Sequence, residues 1–447
     1  MARWLILAWL ALATPAAAQA DRFDRHMAGY LGREAIPGAV LVVMRGDQVA
    51  IARNWGVADR ASAAPTPIGA VQPIYSISKQ FTAALVLRLV EQGRVELDAP
   101  VGRYLPQWFA DEPGLKVRHL LSHTSGLSNF IGEPEARSLE QAPPGTGSLA
   151  DIAALVDRLP RRFAPGARHA YSNGNYTMLA VLVEAVTGMP FAVAQRELLL
   201  RPLGLTGIDE CAALDPQRIS PGHLGSGERF RLPPNPGPTY SGAGGLCADA
   251  ISLARWTRAL GAGRVLRGEL ATAMRRGNRT AAGYAAPYGF GLSTLPLAGR
   301  PAFSHAGADE GWGAWAAYLP QEELSIVILT NRGWVWSTDL GMPIVRVLLG
   351  LPEPRPLRRQ RLRRSERPAL TGAFEDGLFD IELRAEADRL VLVNPAFGEP
   401  IELWRQPDGR FVSPGRPDTF SLRLVDGRPE FDWMEHRSYL VRRSQAD

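Results

Sequence analysis

Strand-like runs stand near both ends of the first 350 residues, and helices stand between them. Gly38 to Val49 (GAVLVVMRGDQV) reads as a β-hairpin turning at Arg45-Gly46-Asp47, and Ile51 to Val57 continues it. Far downstream, Gly313 to Leu319 and Leu324 to Thr330 are again strand-like. Between them, Gln80 to Gln92 has apolar residues at 81, 84, 85, 87, 89 and 90 and stops at Gly93, which predicts a helix. Tyr176 to Val186, Phe191 to Leu200, and Ile251 to Leu260 behind an Asp249 cap predict three more. Segregated strands exclude a βαβ repeat. They imply an α+β fold in which the first and last parts of one sheet meet around a helical insert. Residues 111–165 read as irregular or short-helical, and the turn-dense 218–245 as a surface excursion.

The chain changes character after residue 352. Residues 353–368 belong to a run holding seven arginines and four prolines over 352–368, which reads as a solvated linker. Beyond it, residues 369–447 carry short alternating runs between Asp-Gly and Pro-Gly turns, the pattern of a small antiparallel β domain.

At the other end, Arg3 precedes the apolar run Trp4 to Ala13, and small residues follow at Ala18 and Ala20. This predicts a signal peptide over residues 1–20, cleaved before Asp21, and a periplasmic or secreted protein with no stable membrane insertion afterwards. An uncleaved anchor is the competing reading, although a span needs roughly 20 apolar residues. Residues 21–352 are then the main domain. A net charge of +5 over 447 residues gives no reason to expect a nucleic-acid partner. Export would let Cys211 and Cys247 form a disulfide, while two separate buried thiols fit the sequence equally well.

Chemistry first shows at Ser76. Among fifty basic residues only two are lysines, and one of them, Lys79, stands three positions after this serine. At the start of a helix, positions i and i+3 share a face. A desolvated lysine can lose its proton near neutral pH, which arginine cannot do. Ser76 can thus be a nucleophile and Lys79 its base. A nucleophile also needs a proton donor for the leaving atom and an oxyanion site. Tyr171, in Tyr171-Ser172-Asn173, can relay the proton. Asn173 can bond a substrate amide from both ends of its carboxamide. The strand around His305-Ala306-Gly307 offers an edge for the substrate, with glycine permitting close approach.

The order Ser-x-x-Lys, Tyr-x-Asn, His-x-Gly resembles the serine β-lactamase and penicillin-binding protein superfamily. Within it the chain is most similar to the class C β-lactamase-like branch of D-alanyl-D-alanine carboxypeptidases, D-aminopeptidases and esterases. The likeness spans roughly residues 25 to 350 and includes LDAPVGRYLP, LLSHTSGL, PGARHAYSN and SGAGGL. It implies an antiparallel sheet flanked by helices plus an all-helical lobe. It also implies an acyl-enzyme on Ser76 and proton handling by Lys79 and Tyr171. Asn173, His305 and Gly307 would line the substrate cleft, and Ala308 would be the second oxyanion donor. The implied substrate is a small molecule or peptide: a D-amino-acid peptide or a small ester, with no metal or other cofactor. Two departures stand out. Class C β-lactamases carry Lys-Thr-Gly where this chain has His305-Ala306-Gly307, which looks more like the peptidase members. The β domain also lies outside the minimal lactamase, as in some D-aminopeptidases. A true β-lactamase, or a penicillin-binding sensor acylated without efficient turnover, are the alternatives.

His119 and His123 have the spacing of metal ligands on a helix, but no carboxylate or cysteine stands near them in sequence, so a structural role in the Ser-His-Thr-Ser-Gly loop is expected. No Gly-x-Ser-x-Gly elbow, P-loop or dinucleotide fingerprint occurs.

Overall fold

Successive residues of the strand β1 (Gly38–Arg45) are buried against opposite faces of one sheet. Val40, Val42 and Met44 join one apolar core, while Ala39, Leu41 and Val43 join another. A pleated strand sends alternate side chains to opposite faces, so an unbroken apolar run marks a sheet covered on both sides. This computed structural model describes residues 16–131, 134, 148–224, 229–230, 241–281, 283, 285–333, 337–352, 356–375, 380–394, 400–414, 420–433 and 436–442.

β1 pairs with β2 (Gln48–Gly56) on one side. On the other it pairs with the last of three downstream strands, β3 (Phe303–Asp309), β4 (Trp312–Leu319) and β5 (Leu324–Thr330). The sheet order is β3-β4-β5-β1-β2, antiparallel throughout, with Leu41 opposite Ile328. The two ends of the domain therefore meet in one sheet, as the segregated strands predict. Helix α1 (Ala16–Arg33) covers one face with Phe23, Met27 and Tyr30, beside the Leu340 and Ile344 of a late helix, Ser337–Leu348. α1 runs through the expected cleavage position before Asp21, and residues 1–15 of the expected signal peptide lie outside the described residues.

The other face carries α2 (Ser78–Glu91), α3 (Asn173–Thr187) and α4 (Ala250–Gly261), all contributing to the larger core. Asp249 caps α4 by accepting a bond from Ser252 N at 2.8 Å, as predicted. Phe81 of α2 stacks on Trp256 of α4 with ring centres 3.8 Å apart. The segment read as irregular or short-helical contains a ten-residue helix, Leu149–Arg158, started by a Ser148–Asp151 capping box. Cys211 and Cys247 are joined in a disulfide. It packs with Tyr75, Ile219 and Trp312 in a small apolar cluster.

The C-terminal part is a nine-stranded antiparallel sheet among the described residues, whose last strand, Val441–Arg442, pairs with its first, Gly372–Glu375. The expected solvated linker differs in its second half. Leu362 is buried in the core of this sheet. Gln360 N donates to Arg405 O at 2.8 Å, and the buried Arg405 guanidinium pairs with Glu366 at 2.9 Å. Leu362 by its burial and Glu366 by its ion pair help dock the segment. Residues 353–355 lie outside the described residues.

Candidate active site

Ser76 sits in a single 3-10 turn, Tyr75–Ile77, that runs straight into α2. Tyr75, just before it, has φ +43°. A bulky side chain rarely adopts that left-handed backbone, so the surroundings must hold it. They do: the Tyr75 hydroxyl donates to Glu310 O at 2.7 Å, and its ring rests in the disulfide cluster. Leu246 N bonds Ser78 Oγ at 3.1 Å and ties the same turn to the strand Leu246–Ala248.

One helical turn on, Lys79 is completely buried. Its Nζ lies 3.0 Å from Ser76 Oγ, 2.7 Å from Asn173 Oδ1 and 2.7 Å from Ala243 O. Burial pushes its pKa well below the ordinary lysine value of 10.5. A neutral amine has two hydrogens and one lone pair. The two carbonyl oxygens accept the hydrogens, which leaves the lone pair for the Ser76 hydroxyl. The Tyr171 ring centre is 4.9 Å from the same Nζ.

Asn173 opens α3, and its carboxamide differs from the expectation of bonding substrate at both ends. Oδ1 accepts from Lys79, while Nδ2 donates to Asn129 Oδ1 at 3.2 Å. Asn129 Oδ1 also accepts from Asn173 N at 3.1 Å. The side chain positions the lysine first, because a buried amine needs an acceptor more than a solvated substrate does.

His305, expected to line the substrate cleft, is only 2% exposed. Nδ1 donates to Ala306 O at 2.6 Å, so the neutral ring accepts the Tyr288 hydroxyl at Nε2, 2.9 Å away. Burial, and then the charge of Lys79, bring its pKa down to about 3. Gly307 allows a close approach, though of the protein to itself. A Cβ there would lie 2.0 Å from Ile74 O and 3.0 Å from Ser76 N. β3 can press against the serine turn only without a side chain at 307. Ser304 N and O both bond Ser293, on the edge away from β4. Antiparallel strands alternate such groups residue by residue, so Ala306 and Ala308 turn their N–H and C=O to that same edge.

The described structure thus brings Ser76, Lys79, Tyr171, Asn173, His305 and Gly307 together, with Ala308 next on the strand. Other partners were not foreseen. Ala243 belongs to the end of the stretch read as a surface excursion, yet 242–244 are buried here. Gly242, at φ +76°, would drive a Cβ to 2.5 Å from Tyr176 O. Residues 225–228 and 231–240 of that excursion lie outside the described residues. His123, fully buried at φ +56°, accepts Ser172 N at 3.2 Å and faces Asn175 Nδ2 at 3.0 Å. Its ring lies 4.3 Å from that of Tyr171. His119 caps its own helix by accepting Lys116 N at 3.2 Å. The two histidines therefore serve separate structural ends. Among the described residues no three His, Cys, Asp or Glu side chains gather as metal ligands would.

The profile of the family described as Beta-lactamase matches residues 23–334. A D-aminopeptidase of Brucella anthropi is 30% identical over 337 residues, covering 74% of this chain and 62% of that protein. One from Brucella canis is 29% identical over 330 residues, 72% and 62% of the two chains. This chain spans 62% of the length of these relatives. Among solved structures, the octameric penicillin-binding protein homologue from Pyrococcus abyssi superposes with a TM-score of 0.68 at 20% identity, over 94% of this chain and 100% of that one. The D-amino acid amidase from Ochrobactrum anthropi SV3, complexed with D-phenylalanine, gives 0.64 at 18% identity over 74% and 99%. At such identities the structural matches speak to the fold.

Proposed function

From the premise that this chain belongs to the beta-lactamase family, we propose that it is a serine hydrolase cleaving amide or ester bonds through an acyl-enzyme on Ser76. The observation that carries the reading is the Lys79 amine, desolvated and 3.0 Å from the serine hydroxyl. In this reading the Ser76 proton passes to the Nζ lone pair as Oγ attacks the substrate carbonyl. The oxyanion forms against the N–H groups of Ser76 and Ala308. The tetrahedral adduct then collapses. The proton held by Lys79 reaches the leaving amine or alcohol through the Tyr171 hydroxyl. Water, giving its proton to the same pair, releases the acid and restores the serine. The second Nδ2 hydrogen of Asn173 would meet a substrate carbonyl.

The D-aminopeptidase relatives and the amidase fold neighbour support D-amino-acid peptides or amides as substrates, with small esters beside them. Arg3 and the apolar run of residues 4–13 support export to the periplasm or beyond. His305, neutral and tied to Tyr288, supplies no cation for the carboxylate of a β-lactam, which supports weak turnover of such drugs.

The test is labelling by a fluorophosphonate and a fluorescent penicillin. Wild type should be labelled and Ser76→Ala should not, and equal labelling of the two would reject the proposal. Mass spectrometry then follows the adduct: decay in minutes supports a hydrolase, persistence for hours a sensor. A panel of D-alanyl dipeptides, D-amino-acid anilides, p-nitrophenyl esters and a chromogenic cephalosporin identifies the leaving group.

A further inference from the structure

Three side chains from one turn of α2 hold the same short segment, residues 242–246. Ser78 Oγ accepts Leu246 N at 3.1 Å, Lys79 Nζ donates to Ala243 O at 2.7 Å, and Thr82 Oγ1 donates to Gly242 O at 2.7 Å. Lys79 and Thr82, three residues apart, share a helix face, and both are completely buried. α3 closes on the segment from the other side: a Cβ at Gly242 would stand 2.5 Å from Tyr176 O and 2.7 Å from Ala180 Cβ. The downstream end is anchored as well, since Gly245 O accepts Cys211 N at 2.8 Å and Leu246 O accepts Ile74 N at 2.9 Å.

A buried helical threonine ordinarily returns its hydroxyl to the carbonyl four residues back. Here that carbonyl, Ser78 O, is 3.5 Å away, and Gly242 O is nearer at 2.7 Å. A hydroxyl has one proton, so the segment receives it. Peptide units are planar, so holding Gly242 O fixes the plane that joins Gly242 to Ala243. Only the two torsions of Ala243 then separate that plane from the carbonyl facing Lys79.

That carbonyl matters because of what else surrounds the amine. Ser76 Oγ and Asn173 Oδ1 are bonded to Nζ, and the Tyr171 and Tyr176 ring centres lie 4.9 and 5.8 Å away. His305, neutral, is near enough for a charge on Lys79 to lower its pKa. Among the described residues no carboxylate pairs with Nζ. A proton taken from Ser76 is therefore stabilised by oxygen acceptors and aromatic faces, without a counter-charge.

We propose that Thr82 is a positioning residue for the reaction: its hydroxyl fixes the Gly242–Ala243 turn so that Ala243 O receives the Lys79 amine. The inference rests on the serine-hydrolase reading and adds to it the device that holds the base. Hydrogen bonds to a charged form favour that form. Releasing Ala243 O from Lys79 must then disfavour the ammonium and make the amine a weaker base.

The composition supplies the experiment, because Lys79 is one of only two lysines. NMR of the full-length protein grown with isotope-labelled lysine shows two side-chain signals, and Lys79→Arg identifies which is Lys79. In Thr82→Val, which keeps the shape and loses the hydroxyl, the Lys79 titration midpoint should fall by about one pH unit, a tenfold loss of proton affinity. Thr82→Ser, which keeps the hydroxyl, should restore the wild-type midpoint. The rising limb of the fluorophosphonate labelling rate against pH should move down with the midpoint. Circular dichroism checks the fold, and Thr82→Ala, which only removes atoms, replaces the valine variant should that one not fold. A merely structural threonine would lower stability and leave the midpoint in place. The same midpoint in wild type and Thr82→Val, including titration in neither, would overturn the inference, as would a serine variant that behaves like valine. Labelling of wild-type Ser76 is scored separately: a labelled enzyme with an unmoved midpoint sinks only this inference, and an unlabelled one sinks the hydrolase reading.

Discussion

Oδ1 of Asn173 accepts a hydrogen bond from Nζ of Lys79 at 2.7 Å, so a residue read from the sequence as a substrate clamp holds the lysine in place. Replacing that neutral acceptor by a carboxylate has a definite sign. In Asn173→Asp the negative charge favours the ammonium and raises the pKa of Lys79. Acylation needs the neutral amine. Its rate should therefore rise with pH along a limb displaced to higher pH than in wild type, with slower labelling at pH 7. A pH series of fluorophosphonate labelling rates checks both.

Lys79→Arg should reduce labelling by about a thousandfold, the middle of the range for a lost general base. The guanidinium keeps its proton and cannot accept the one on Ser76. Labelling within tenfold of wild type would mean that another group serves as base.

Gly307→Ala should damage both stability and reactivity. The new methyl would meet Ile74 O at 2.0 Å and Ser76 N at 3.0 Å, so the serine turn must move. Overpacking of this kind costs about 1–3 kcal/mol. Thermal unfolding should register the loss, and labelling should slow by about a hundredfold, since a shift of about 1 Å at the nucleophile is enough for that.

Glu210 is buried, and burial followed by the charge of Asp209 lifts its pKa to about 8, against a lowering by Arg196. Between about 4.5 and 8 the folded protein then binds a proton that the unfolded chain releases. The contribution of this group to stability is fully present below pH 4.5 and is lost as pH rises through 8. Glu210→Gln should flatten that part of the stability profile, read by melting temperature from pH 5 to pH 9.

The disulfide joins residues 36 positions apart and packs against Tyr75. Cys211→Ala with Cys247→Ala should destabilise the protein by about 4 kcal/mol on the chain-entropy account. Because the cluster also holds Tyr75 at positive φ, labelling of Ser76 should slow as well. Denaturant melts and labelling rates of the double variant test the two effects.

The sequence alone determined the elements and the chemistry-bearing residues. Apolar spacing around Gln80–Gln92, the Asp249 cap and the strand runs at both ends are local signals, and each residue carries its own share of them. The motifs Ser76-x-x-Lys79, Tyr171-x-Asn173 and His305-x-Gly307 were legible because a side chain type at a fixed offset implies its reactivity. Only tertiary structure decided what those groups face. Ala243 offers a backbone carbonyl, which every residue has, so nothing in its identity could mark it as a partner of Lys79. Asn129, Tyr288 and His123 come from distant positions, and their roles arise from packing. The same holds for the docked arginine segment, where burial of Leu362 outweighed a linker-like composition. Local pattern fixes what a residue can do, whereas burial and distance fix which of those things it does.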